Sequence, residues 1–267
     1  MLNEISMAQF TPTLCDALGI DAPAVSAQPH SLIHTLLNAR GVSKVQRCLI
    51  YNPDATGMWN YQKHAEWFAP VIAHTQLALP VRTMLPSVTP VCFGTMYTGL
   101  TPAEHGIETY EKHPLPHRSL FDCVHDAGMR CALVVVQDSS MDVLYSEKPV
   151  ARFIEPYDEQ ATERACELIA SDNYDMVVVY NQEFDDVMHR TCPESAPATA
   201  ALKHHIAAFD RLCTQAEQSW AGYDSLVCWA TDHGTHIADN GHGQHGSDRE
   251  DDLNVLHFFG AWASRAQ

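Results

Sequence analysis

Short, almost continuously apolar runs alternate along this chain with longer stretches in which apolar residues recur at helical spacing. The runs RCLIYN (47–52), CALVVVQ (131–137), DMVVVYN (175–181), SLVCWAT (225–231) and VLHFFGAW (255–262) are rich in β-branched and aromatic residues and predict strands. Because they are apolar at consecutive positions, both faces are expected to be buried, as in a mostly parallel sheet. Helical patterns lie between them, near 60–75, 90–98, 118–128, 158–171 and 194–220, the last opening on CPESAP, where a proline and an acid suit a helix start. The alternation predicts an α/β fold of three layers, a mostly parallel central sheet with helices on both faces. No repeat, low-complexity tract or linker divides residues 1–267, so a single domain is expected. The proline-bearing patches IDAPAVSAQP (20–29) and KHPLPH (112–117) read as surface connections.

Composition narrows the function classes. The chain has 267 residues, 46% of them hydrophobic, enough for an ordinary globular core. Its formal charge of −17 argues against nucleic-acid polymers and anionic membranes as partners, and bound divalent cations would offset part of it. Nine cysteines stand singly with no CxxC pair, which fits neither a disulfide framework nor a thiolate zinc site, so most are expected to be buried thiols. The opening MLNEISMAQFTPTLCDALGI has neither a basic n-region nor an apolar h-region, and no apolar run is of membrane-spanning length. The expectation is a reduced, cytoplasmic protein.

The candidate chemistry gathers just beyond the predicted strands. Asp54 follows the first run, Asp185 and His189 follow DMVVVYN, and Asp232 and His233 follow SLVCWAT. Ligands of open α/β sheets collect at the carboxyl ends of strands, so three strands would deliver acids and imidazoles to one edge. In DDVMH, Asp185 and His189 are four residues apart, on one face of a helical turn, where they can hold one ion together. The stretch ATDHGTHIADNGHGQHGSD (230–248) adds His245 between glycines that permit a turn back toward the site. Asp and His together suit zinc, manganese or iron. Thr89 precedes Pro90 at a helix start, where free N–H groups favour an anion. Its hydroxyl reads either as a helix cap or as a nucleophile activated by a nearby metal.

On these residues the chain resembles a compact member of the alkaline phosphatase superfamily, nearest the type I phosphodiesterase/nucleotide pyrophosphatase group. That group carries T-x-x-x-x-x-T-x-x-T-G-x-x-P-x-x-H-G-I, matched here from Thr89 through Thr95, Thr98, Gly99, Pro102, His105, Gly106 and Ile107. It also carries D-x-x-x-H (Asp185, His189), T-D-H-G (Thr231 to Gly234) and G-x-H-G (Gly243 to Gly246), and Asp54 takes the place of the aspartate after the first strand. The resemblance spans about 47–248 and implies an alkaline-phosphatase-like fold with two divalent metal ions, zinc first and manganese second. It implies that Asp185, His189 and His245 hold one ion and that Asp54, Asp232 and His233 hold the other. Thr89 would attack phosphorus to form a phospho-threonine that water then hydrolyses, acting on a small phosphorylated substrate with a phosphodiester, phosphonate or pyrophosphate bond.

Two departures qualify this. The group has an Asn shortly after H-G-I, whereas this chain reads HGIETYEK, leaving Tyr110 or Lys112 as substitute donors to a phosphoryl oxygen. Only eleven residues separate His233 from His245, where the group commonly inserts a cap, so no large cap domain is expected and the site is open or closed by a neighbouring subunit. A phosphomonoesterase on the same metal core is the alternative enzyme, and a catalytically weakened metal- or phosphate-binding protein is the alternative outside enzymes. His105 reads as structural, and His236 and His242 as either lining the site or facing water. KHH (203–205) and SDREDD (247–252) read as solvated charge. Cys92 lacks the C-x-P-x-R context of a formylglycine precursor and reads as packing.

Overall fold

The apolar runs become the middle of one sheet. The structure, a computed structural model, describes residues 5–265. Its strands are β1 (Ile5–Ser6), β2 (Arg47–Pro53), β3 (Leu77–Arg82), β4 (Cys131–Val136), β5 (Ala151–Glu155), β6 (Met176–Asn181), β7 (Ser225–Trp229), β8 (His236–Ile237), β9 (Gly243–Gln244) and β10 (Asn254–Trp262). Eight of them form a sheet in the order β1-β3-β10-β7-β2-β6-β4-β5, while β8 and β9 make a separate antiparallel hairpin. All pairings in the large sheet are parallel except those of β10 with β3 and β7. All five predicted strands are present, and β2, β4, β6 and β7 are buried at every position.

Side-chain parity divides the core between the two faces. Cys48, Ile50, Leu133, Val135, Met176 and Val178 pack with Leu14, Val91, Phe93 and Tyr97 on one side. Leu49, Tyr51, Ala132, Val134, Val177 and Val179 pack with Ala165, Leu202, Phe209 and Leu212 on the other. This is helix–sheet–helix layering, produced because successive residues of a strand point to opposite faces.

The differences from the sequence pattern have local causes. The helical pattern at 60–75 is three short pieces, Met58–Lys63, Ala65–Phe68 (3₁₀) and Ala69–His74, because Pro70 cannot continue a preceding helix and instead occupies a first turn. β3 carries Pro80, which disguises it as a non-strand; among the described residues Pro80 pairs with Leu256 of β10, and β1 pairs with Val81 and Arg82. β5 lies at the sheet edge and is only partly buried, so it has no apolar run. The helices Phe10–Leu18 and Ser31–Ala39 are additional elements of the first layer. The patches 20–29 and 112–117 are mostly exposed connections. No disulfide joins the nine cysteines, seven of which are buried. No helix among the described residues is long and apolar enough to cross a membrane.

Candidate metal centre and threonine site

Beyond the carboxyl ends of β2, β6 and β7 the chain delivers six side chains to one place. β2 ends at Pro53 and Asp54 follows immediately. Ala55 then adopts a left-handed backbone (φ 59°), which aims its N–H at Asp232 Oδ1, 3.2 Å away. Thr83 on the other side donates to the Asp232 carbonyl at 2.6 Å, so Asp232 is fastened at both its backbone and its carboxylate. Asp185 and His189 lie in the first and last turns of the helix Glu183–Arg190. His245 is brought back by the β8–β9 hairpin.

These residues form two groups, Asp185/His189/His245 and Asp54/Asp232/His233, each with three ligand atoms within 4.8 Å of one another. In the first, Asp185 Oδ1 is 3.4 Å from both His189 Nε2 and His245 Nε2, and those two nitrogens are 3.0 Å apart. In the second, His233 Nε2 is 3.3 Å from Asp232 Oδ2 and 3.5 Å from Asp54 Oδ1. The groups adjoin: the rings of His233 and His245 stack with centroids 4.0 Å apart.

The hydrogen bonds at the back of each imidazole decide what its front offers. His189 Nδ1 faces the Gly243 carbonyl at 3.1 Å, His233 Nδ1 the Gly234 carbonyl at 3.0 Å, and His245 Nδ1 the Ser87 carbonyl at 2.9 Å. A carbonyl only accepts, so Nδ1 carries the proton and each neutral ring keeps its lone pair on Nε2, directed inward. Asp54 Oδ1, Asp185 Oδ1 and Asp232 Oδ2 are buried and have no hydrogen-bond partner. Converging lone pairs and partnerless carboxylate oxygens favour positive charge at both places, and imidazole with carboxylate is a donor set that suits divalent cations. The residues therefore fit a pair of divalent cations.

Electrostatics in the ion-free protein agree. Burial, with Asp232 and Asp185 nearby, holds Asp54 well above the usual carboxylate range. Burial also pushes Asp232 up to about 7, against the pull of the Ala55 N–H. Burial would raise Asp185 too, but the His189 and His245 contacts outweigh it and hold it below the usual range. His245 is raised because Asp185 overcomes the burial that opposes its charge. Burial, then His245, lowers His233.

Thr89 is the first residue of the helix Thr89–Thr98, all of which is buried, and the capping position is taken by Val88 with no side-chain cap. The Thr89 hydroxyl therefore does not cap the helix. It lies 3.3 Å from His233 Nε2. A polar pocket of about 90 Å³ opens beside it, lined among others by Asp54, Asp185, Tyr110, Lys112 and Ser140.

Surrounding residues hold this arrangement. His105 packs on Gly94, where a Cβ would lie 2.8 Å from its ring, and faces Thr95 Oγ1 at 3.1 Å, in keeping with a structural role. Cys92 is buried with Sγ 3.0 Å from Thr83 Oγ1. His236 Nδ1 contacts Asp252 at 2.7 Å, and His242 is exposed. Two expectations are corrected. In KHH, His205 is fully buried against Asp158, because it lies on the inner face of the helix Ala196–Ser219, while Lys203 and His204 are exposed. In SDREDD, Asp252 is fully buried, accepting from Ser247 N at 3.0 Å and Ser247 Oγ at 2.7 Å. The sequence reading missed Ser87, which grips His245 and Gly246, and Tyr180, which donates to Asp54. Tyr180 sits inside the apolar run of β6, where it looks like core, but Ser87 lies two residues before Thr89 and was within reach of the motif.

Solved structures share this architecture. A phosphonoacetate hydrolase from Sinorhizobium meliloti 1021, in complex with phosphonoformate, superposes with a TM-score of 0.54 at 16% identity, over 74% of this chain and 59% of that one. The chain has the alkaline phosphatase-like fold. Murine ectonucleotide pyrophosphatase/phosphodiesterase 5 shares it with a TM-score of 0.57 at 18% identity (73% and 58% covered), and the human protein with 0.56 at 16% (73% and 58%). The chain thus spans less than two thirds of the length of these alkaline phosphatase-like structures. No protein-family model matches the chain, and no curated protein matches its sequence.

Proposed function

We propose that the chain is a two-metal phosphohydrolase that cleaves phosphodiester or nucleotide-type pyrophosphate bonds, with Thr89 as nucleophile. The observation that carries the reading is the Thr89 hydroxyl, released from capping and held 3.3 Å from His233 Nε2 beside buried carboxylate oxygens that have no partner. Asp185, His189 and His245 would hold one cation and Asp54, Asp232 and His233 the other. Bound there, the two ions would supply Lewis acidity to the Thr89 hydroxyl and to the oxygens of a phosphoryl group.

The protein's own part is positioning. Thr89 Oγ1, its proton released to solvent, forms the bond to phosphorus as the ester oxygen leaves with its electron pair and takes up a proton; water then attacks phosphorus, its oxygen staying on the phosphoryl group while one of its protons restores the Thr89 hydroxyl. The burial of the helix Thr89–Thr98 holds the nucleophile in one place. Lys112 Nζ donates to the Asp138 carbonyl at 3.0 Å and retains two further N–H groups. With Tyr110, it replaces the Asn that the resemblance leads one to expect, donating to a phosphoryl oxygen. Solved structures of this fold hold phosphonoformate and AMP, which supports a small phosphorylated substrate. We further read residues 1–267 as one catalytic domain, and the nine free thiols support a reducing, cytoplasmic setting.

The test is p-nitrophenol release from bis(p-nitrophenyl) phosphate and from p-nitrophenyl phosphate with zinc or manganese. The diester is expected to turn over faster, and Thr89→Ala to lose about 10³-fold or more while still binding metal. Faster monoester turnover would redirect the reading to a phosphatase. No turnover by metal-loaded protein would leave a binding protein.

A further inference from the structure

The helix Glu183–Arg190 carries two of the six residues above, yet it has no cap of its own. Gln182, at the capping position, accepts none of the helix's N–H groups on its side chain, whose amide instead donates to Asp186 Oδ2 at 3.3 Å. The first free N–H groups are instead met from another helix. Asp158, which opens the helix Asp158–Ser171, accepts the Gln182 N–H on Oδ1 and the Glu183 N–H on Oδ2, both at 2.9 Å. Asp158 is 5% exposed. A third helix completes the clamp: His205, fully buried in Ala196–Ser219, sets Nε2 3.1 Å from Asp158 Oδ2. Among the described residues the other nitrogen of that ring, Nδ1, has no hydrogen-bond partner, and Asp158 is the polar group the imidazole meets.

A carboxylate at a helix N-terminus is favoured by the helix dipole, and hydrogen bonds to a charged acceptor are the strong ones. Here they fix the turn that bears Asp185, two residues beyond Glu183, and through it His189 one turn on. The two groups depend unequally on this clamp. Asp54, Asp232 and His233 lie on the connections after β2 and β7, and the bonds that hold them, from Ala55 N–H and Thr83 to Asp232 and between Thr89 and His233, do not involve Asp158.

We propose that Asp158, backed by His205, is a positioning residue for the Asp185/His189/His245 group and leaves the other group untouched. The inference rests on the reading that these residues hold cations, and its test separates the two. Zinc affinity is measured by competition with a chromophoric chelator for the full chain and for Asp158→Asn and Asp158→Ala, the milder Asn variant serving if Ala does not fold. Hydrogen exchange of the segment 182–190 is followed in the metal-free proteins. We expect one zinc equivalent to weaken about 10–100-fold and the other to stay unchanged, with faster exchange over 182–190. Parallel weakening of both equivalents, or no change in either, overturns the proposal. Should the unsubstituted chain bind no zinc, the metal reading fails, and exchange alone decides: unchanged exchange over 182–190 overturns the clamp.

Discussion

His189, His233 and His245 each tie one ring nitrogen to a carbonyl and turn the other toward a buried carboxylate. In the ion-free protein burial favours protons on Asp54 and Asp232, which offset carboxylate charge that a metal would otherwise neutralise. Metal binding must displace those protons, so zinc affinity should rise with pH through about 7, the value to which Asp232 is pushed. Calorimetry in buffers of different ionisation enthalpy, from pH 5.5 to 8, checks this through the protons released. The same group bears on stability. Its folded pKa lies above the ordinary value, so in the metal-free protein its contribution is present below the usual carboxylate range and is lost as pH rises through about 7. Asp232→Asn lacks that dependence, so its metal-free melting temperature relative to the native chain should increase from pH 5 to pH 8.

At the scale of elements, the segment 230–248 works as a folded strap and not as a loop of spare histidines. Gly234 donates its N–H to the Asp252 carbonyl at 2.8 Å, and a Cβ there would lie 2.0 Å from the Asp251 carbonyl oxygen. Gly243 is equally confined, its notional Cβ falling 2.7 Å from the Met188 carbonyl oxygen, on the helix that carries His189. These glycines let backbone pass backbone at the point where the strap meets its neighbours. Gly234→Ala should therefore cost about 1–3 kcal/mol by overpacking, read from denaturant unfolding. It should also loosen the adjacent His233 and lower zinc affinity, whereas Gly241→Ala, with nothing within 4 Å of its notional Cβ, should leave zinc affinity unchanged.

For the whole molecule, the sheet edge that gathers the six residues joins segments as distant as Asp54 and His245, so an ion bound there would link parts of the chain that unfolding separates. At a free zinc concentration about 100 times Kd, this linkage is worth about 2.7 kcal/mol, or roughly 5–10 °C in melting temperature. Calorimetry with and without a chelator measures it, and the proposed single domain predicts one transition in both conditions. Much of this was legible beforehand, for a physical reason. Runs such as CLIYN and MVVVY are apolar on both faces because they are central parallel strands, and the Asp and His residues just past them show where those strands end. Less legible were β3, masked by Pro80, β5, partly exposed at an edge, and the buried Asp252, His205 and Asp158, whose partners lie in other elements. By itself the sequence determined the layered α/β plan and the kinds of side chain at the strand ends, because periodicity and composition are local properties. Only the tertiary structure decided that Thr89 is no cap, which ring nitrogen each histidine presents, and that Asp158 grips the helix of Asp185, because each depends on partners far along the chain.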